Sequence, residues 1–195
     1  REGREELWLV LIGHGTFDGR DAKLNLRGPD VSAAELAEWL KPFKRPLAVV
    51  HTTSSSAPFI GKLAAPGRVI VSATRSGNEH NYARFGKFFA EALADARSDL
   101  DHDGQVSLLE SFLSAASRTS EFYKTEGRLA TEHPVLEDTG KGNGVRAPGP
   151  DNGHGLLAGQ TALVRFGTLQ QAAKAPEKQA LLKKREEVEA KIEKL

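Results

Sequence analysis

Between Asp99 and Glu110, oxygen-bearing side chains recur at the spacing by which a twelve-residue loop wraps a calcium ion. Calcium takes roughly six to eight oxygens, drawn in such a loop from positions 1, 3, 5, 7, 9 and 12, with glycine at position 6 for the sharp turn. Those positions fall on Asp99, Asp101, Asp103, the carbonyl of Gln105, Ser107 and Glu110, and Gly104 stands sixth. Val106 supplies the apolar residue at the eighth. The plainer alternative is a solvated acidic turn that caps the following helix. The register of these residue types between two helical patterns favours Ca2+. A single EF-hand-like helix-loop-helix without a second copy suits a structural clip between two helices better than a sensor, which opens a groove.

A second group of residues has the makings of acyl transfer. His14 lies in Gly13-His14-Gly15, and Thr53, Ser54 and Ser55 lie in a hydroxyl run, which brings an imidazole base and hydroxyl nucleophiles into one chain. An alcohol is a far weaker acid than a thiol, whose pKa is about 8.5, and so depends on an oriented base. The sequence has no Gly-x-Ser-x-Gly elbow and no acidic residue clearly paired to the histidine. Threonine nucleophiles borrow their own terminal amine, and Thr53 is internal. The same hydroxyls can simply cap a helix start, and His14 can simply hydrogen-bond a tight turn.

The elements that must position these groups read as α/β. Leu7-Trp8-Leu9-Val10-Leu11-Ile12, Leu47-Ala48-Val49-Val50 and Val69-Ile70-Val71 are continuous apolar runs, as expected of parallel strands buried on both faces, with the first of them central. Each ends in small polar residues, so His14, the segment from Thr52 to Ser55 and the segment from Ser72 to Thr74 are expected on one rim, where ligands collect in open parallel sheets. Ser32 and Glu35 form a capping box for a helix that buries Leu36, Trp39 and Leu40, and a short helix fits between Pro58 and Leu63. Phe85, Phe88, Phe89, Ala92 and Leu93 mark an amphipathic helix over 82–96, and Val106, Leu109, Phe112, Leu113 and Ala116 mark another to about Tyr123. Residues 1–138 therefore form one domain. A Gly/Pro-rich connection follows over 139–175, irregular and poor in core residues. Leu181, Val188, Ile192 and Leu195 give the charged segment 176–195 the seam of a short coiled coil, a route to self-association.

The order of these motifs resembles the caspase and legumain superfamily of cysteine peptidases. In that family a His-Gly after one strand supplies the base, and the cysteine ends the next strand in a motif like Ala-Cys-Glu-Ser-Gly. The segment Thr52-Thr53-Ser54-Ser55-Ser56-Ala57-Pro58-Phe59 resembles the legumain version and puts Thr53 where the cysteine would stand. Val71-Ser72-Ala73-Thr74 is similar to the next strand, which helps form the pocket for the residue before the cut. The resemblance covers about Leu7 to Phe122 and implies a three-layer, mainly parallel sandwich. The family's strands before the histidine strand are absent, so the sheet is expected to be incomplete unless a further segment completes it. With threonine in place of the nucleophile, the resemblance implies a pseudopeptidase that holds a protein or peptide at the rim of His14, Thr53 and Ser72. Two alternatives stay open: a hydrolase using Ser54, Ser55 or Thr53 with His14 as base, and a calcium-responsive module.

Composition narrows the remaining classes. The 195 residues carry 27 Lys+Arg against 26 Asp+Glu, a net charge of +1 that offers no general attraction to nucleic acid. Zero cysteines remove disulfides, thiolate metal sites and a cysteine nucleophile. Histidines 14, 51, 80, 102, 133 and 154 never pair at helical ligand spacing, which argues against zinc. No apolar run reaches the length of a membrane span. A lone loop fills most easily in millimolar calcium, which leans toward an extracytoplasmic location. The stretch Asp138-Thr139-Gly140-Lys141-Gly142-Asn143-Gly144 reads as a plain turn, because Lys141 sits where an acid would help.

Overall fold

The computed structural model describes residues 5–165 and Lys184. Its elements are β1 (Leu7–Leu11), β2 (His14–Phe17), β3 (Ala22–Asn25), β4 (Val31–Ser32), α1 (Ala33–Leu40), β5 (Leu47–His51), α2 (Pro58–Leu63), β6 (Arg68–Ser72), α3 (Phe85–Ala94), β7 (Gln105–Ser107), α4 (Leu108–Thr125), β8 (Val135–Glu137), α5 (Leu156–Gln160) and β9 (Ala162–Arg165). The protein is mixed α/β, and its main sheet has the order β1-β5-β6-β8. β1, β5 and β6 run parallel, with Leu7 beside Leu47 and Leu47 beside Arg68, and β8 is antiparallel to β6.

Continuous burial of β5 and β6 explains their unbroken apolar sequences, because alternate side chains feed two different cores. Val49 and Ile70 point into one with Leu36, Leu40, Phe59 and Leu63 from α1 and α2. Val50 and Val71 point into the other with Phe85 and Phe89 of α3, Phe112 of α4 and Ala158 of α5. The Ser32–Glu35 capping box starts α1, and a second box, Ser107–Glu110, starts α4. Loss of such a cap typically costs about 1 kcal/mol.

Three expectations are corrected, concerning β1, Trp39 and Val106. β1 is an edge strand among the described residues, not a central one, because no described strand pairs with its far side. The residues after His14 form an antiparallel sheet of β2, β3 and β4. Ala22 and Leu24 alternate inward along β3, and the Asp18 carboxylate turns the hairpin by accepting the amides of Arg20 and Asp21. Trp39 is 58% exposed, because the eight-residue α1 buries the face carrying Leu36 and Leu40 and leaves Trp39 at its margin. Val106 lies in β7, before the start of α4. Within 139–165, Ala158 is the one apolar side chain in the core, yet the stretch is tied down. The Asp138 carboxylate accepts the amides of Gly155 and Ala158, and the His154 ring bridges the carbonyls of Asn143 and Asn152. The charged segment 176–195 and its coiled-coil seam lie outside the described residues, apart from Lys184.

Candidate functional site

The strand ends do form one rim, held together by hydroxyls. β5 ends at His51, and the turn from Thr52 to Ser56 leads to α2. Gly15 packs directly against this turn: its amide donates to Ser54 Oγ at 3.3 Å, and Ser54 Oγ donates to the Gly15 carbonyl at 2.9 Å. A β-carbon on Gly15 would stand 2.2 Å from the Ser54 carbonyl oxygen and 2.7 Å from Thr53 Oγ1, so only glycine admits this approach. Ser56 Oγ lies 2.8 Å from Ser72 Oγ and 3.2 Å from Thr74 Oγ1, which joins the β5 and β6 ends.

Thr53 is 1% exposed and its hydroxyl is occupied. Oγ1 donates to the Ser54 carbonyl at 2.9 Å and lies 3.2 Å from His51 Nδ1. The single hydroxyl proton goes to the carbonyl, so His51 Nδ1 carries the proton that Thr53 accepts. Burial pushes the His51 pKa down to about 3, which keeps the ring neutral, and Nε2 has no partner among the described residues. His51 also meets the Phe59 ring edge-on at 4.4 Å between centroids.

His14 is exposed on β2 and makes no hydrogen bond to Thr53, Ser54 or Ser55 among the described residues. It borders a groove of about 450 Å³ between the end of β1 and α3, lined also by Val10, Ile12, Thr52, Tyr82 and Lys87. Ser55 turns elsewhere. Its backbone has φ +53°, its amide donates to the Glu79 carbonyl at 3.0 Å, and its Oγ lies 3.2 Å from Nδ1 of His80. Glu79 is itself pinned by His133 Nδ1 at 2.5 Å and by the His133 amide at 3.1 Å. Sequence reading missed His51 and His80. The first was hidden as the last residue of an apolar strand, and the second sits in a loop whose fold back over the rim leaves no local pattern.

The acidic loop follows α3 and a 3-10 turn at Ala96–Ser98. Ligand oxygens of Asp99, Asp101 and Asp103 lie within 4.8 Å of one another, a triad that can hold a metal ion. Backbone amides hold the triad in place. Asp99 accepts from Asp103 and Gly104 at 3.0 and 2.8 Å, Asp101 from Asp103 at 3.0 Å, and Asp103 from Gln105 at 2.8 Å. Gly104 has φ +82°, the left-handed turn that its position demands. Glu110 closes the loop from the helix side: one carboxylate oxygen accepts Leu100 and Asp101 amides at 2.7 and 3.2 Å, and the other accepts the Ser107 amide and hydroxyl at 2.8 Å each. Arg118 of α4 reaches Asp95 at 2.5 Å, and with Arg97 it holds that carboxyl below the usual carboxylate range, the Arg97 contact contributing most. The loop is not without a strand partner, since β7 pairs with β9, Gln105 opposite Arg165 and Val106 opposite Val164.

Fold and sites together define a mixed α/β protein with a mainly parallel sheet, a hydroxyl-lined strand rim and an acidic loop able to hold a metal ion. No family model, no curated protein and no solved structure matches the chain. No helix among the described residues is long and apolar enough to cross a membrane.

Proposed function

We propose that the chain is a caspase- or legumain-like domain that binds protein or peptide without cutting it, stiffened by one calcium ion. The observation that carries this reading is the state of Thr53: at the position matched to the family's thiol stands a buried hydroxyl, committed to the Ser54 carbonyl and His51, with His14 facing solvent. The imidazole beside it, His51, meets it through the protonated Nδ1 and so does not act as the base that activates hydroxyl nucleophiles. The apolar groove beside His14, walled by Ile12 and Tyr82, suits an apolar side chain of an extended peptide.

Calcium fits the loop because three carboxylates converge where hard oxygen ligands are needed. The Gln105 carbonyl, Ser107 and Glu110 complete the oxygen set, Glu110 exchanging its amide bonds for the ion. Bound there, the ion offsets two of the triad's three negative charges and clips the α3 side of the loop to α4. The test has two arms. Calorimetry should show one calcium per chain, lost in Asp99→Asn with Asp101→Asn, and a mixed peptide library should remain uncut. Cleavage that disappears on His14→Ala, or on alanine at Thr53, Ser54 or Ser55, overturns the binding reading.

One observation favours a second reading, a serine hydrolase with a different base. Ser55 sits at a strand-to-helix turn with positive φ, and its hydroxyl meets His80. Labelling by an acylating phosphonate probe that is lost on Ser55→Ala and His80→Ala but kept on His14→Ala would establish it.

A further inference from the structure

At the end of the sheet opposite the hydroxyl rim, a cleft of about 500 Å³ lies among the turns that lead into β5 and β6 and the last residues of α1 and α2. Lys41, Lys44, Arg45, Lys62 and Arg68 line it, and no aspartate or glutamate does. The chain as a whole is nearly neutral, at +1, so this is a local concentration of positive charge.

Structural duties account for some of these cations. Arg68 donates to the Leu40 and Leu63 carbonyls at 2.9 Å each, which satisfies the ends of α1 and α2. Lys41 pairs with Glu38, and Arg45 Nε donates to the Glu5 carbonyl. Lys44 and Lys62 make no hydrogen bond to either helix end among the described residues. Both are exposed, and neither has an ion pair or hydrogen bond among the described residues. Like charges gathered around one concavity repel one another, and an entering anion removes that cost.

We propose that this cleft binds a small, multiply phosphorylated anion from solution. Lys44 and Lys62 act as point charges on phosphate oxygens, the free guanidinium nitrogens of Arg45 add a fork of donors, and Phe43 offers an apolar wall to the rest of the ligand. The volume is that of a small-molecule site. A polymer backbone is disfavoured, because the protein's overall charge supplies no extended positive track.

The test is calorimetric titration of the full chain with inorganic tripolyphosphate, with a calcium chelator present so that metal capture by the phosphate is not read as binding. Saturable one-to-one binding is expected, about tenfold weaker in Lys44→Glu and in Lys62→Glu and weakened by added salt. Arg128→Glu, the same charge change at an exposed position outside the cleft, should leave it unchanged. The proposal is overturned by absence of saturable binding, by equal weakening in Arg128→Glu, or by binding confined to anionic lipid vesicles or DNA. Circular dichroism of the two cleft variants guards against misfolding, and retained spectra with unchanged affinity also overturn it.

Discussion

At the strand ends Ser56 shares its hydroxyl with Ser72 and Thr74, whereas in the acidic loop Asp99, Asp101 and Asp103 turn their oxygens toward one another. Both regions are dense in oxygen, but neutral hydroxyls can donate as well as accept, so a cluster of them satisfies itself. Carboxylates only accept. The loop recruits backbone amides around its rim, and its three carboxylates, within 4.8 Å of one another, could hold a metal ion. A self-satisfied oxygen cluster serves as mortar between strand ends. An acceptor-only cluster has room for a donor or a cation.

That contrast can be broken experimentally, beginning with the rim. Gly15→Val would push a side chain into the Ser54 carbonyl and Thr53 hydroxyl, and should cost about 3 kcal/mol in urea unfolding. A variant as stable as the parent would mean the rim is loosely held. The loop should respond to metal instead of space: calcium at about 100 times its Kd should add about 2.7 kcal/mol. Asp101→Asn should abolish that gain, and Ser56→Ala should not.

Acid sharpens the comparison further. Buried His51 stays neutral in the folded chain, its pKa pushed from 6.5 to about 3, while an unfolded histidine takes up a proton below about 6.5. The stability contributed by this group is thus present above pH 6.5 and declines as pH falls toward 3, by about 1.4 kcal/mol per unit. Unfolding curves of the parent and His51→Gln at pH 7 and pH 5.5 should differ in slope in that direction; parallel curves would remove His51 from the account. The smallest effect belongs to Ser107→Ala, which deletes a helix cap at the loop's edge for about 1 kcal/mol, read as a lowered thermal midpoint.

Much of this architecture could be read from residue order because the strongest signals are local. Unbroken apolar runs announced β5 and β6, and the Ser32–Glu35 spacing announced the start of α1. The convergence of Asp99, Asp101 and Asp103 was likewise legible, since a single tight turn delivers all three. What escaped was non-local. The pairing of β7 with β9 joins residues far apart in the chain, the Glu79–His133 contact spans 54 positions, and the His80 approach to Ser55 depends on a loop folding back over the rim. No pattern within either segment encodes such meetings. The pairing of His14 with the hydroxyls was expected from their shared end of the sheet, but the β2–β3 hairpin carries the imidazole outward while Gly15 makes the contact.

The register of β9 against β7 gives the protein a mechanical property. Arg165 lies opposite Gln105, the residue just after Gly104 in the loop, so tension applied at Arg165 is delivered first to the acidic turn. A bound ion would act there as a rivet, and pulling at that end would probe its grip directly.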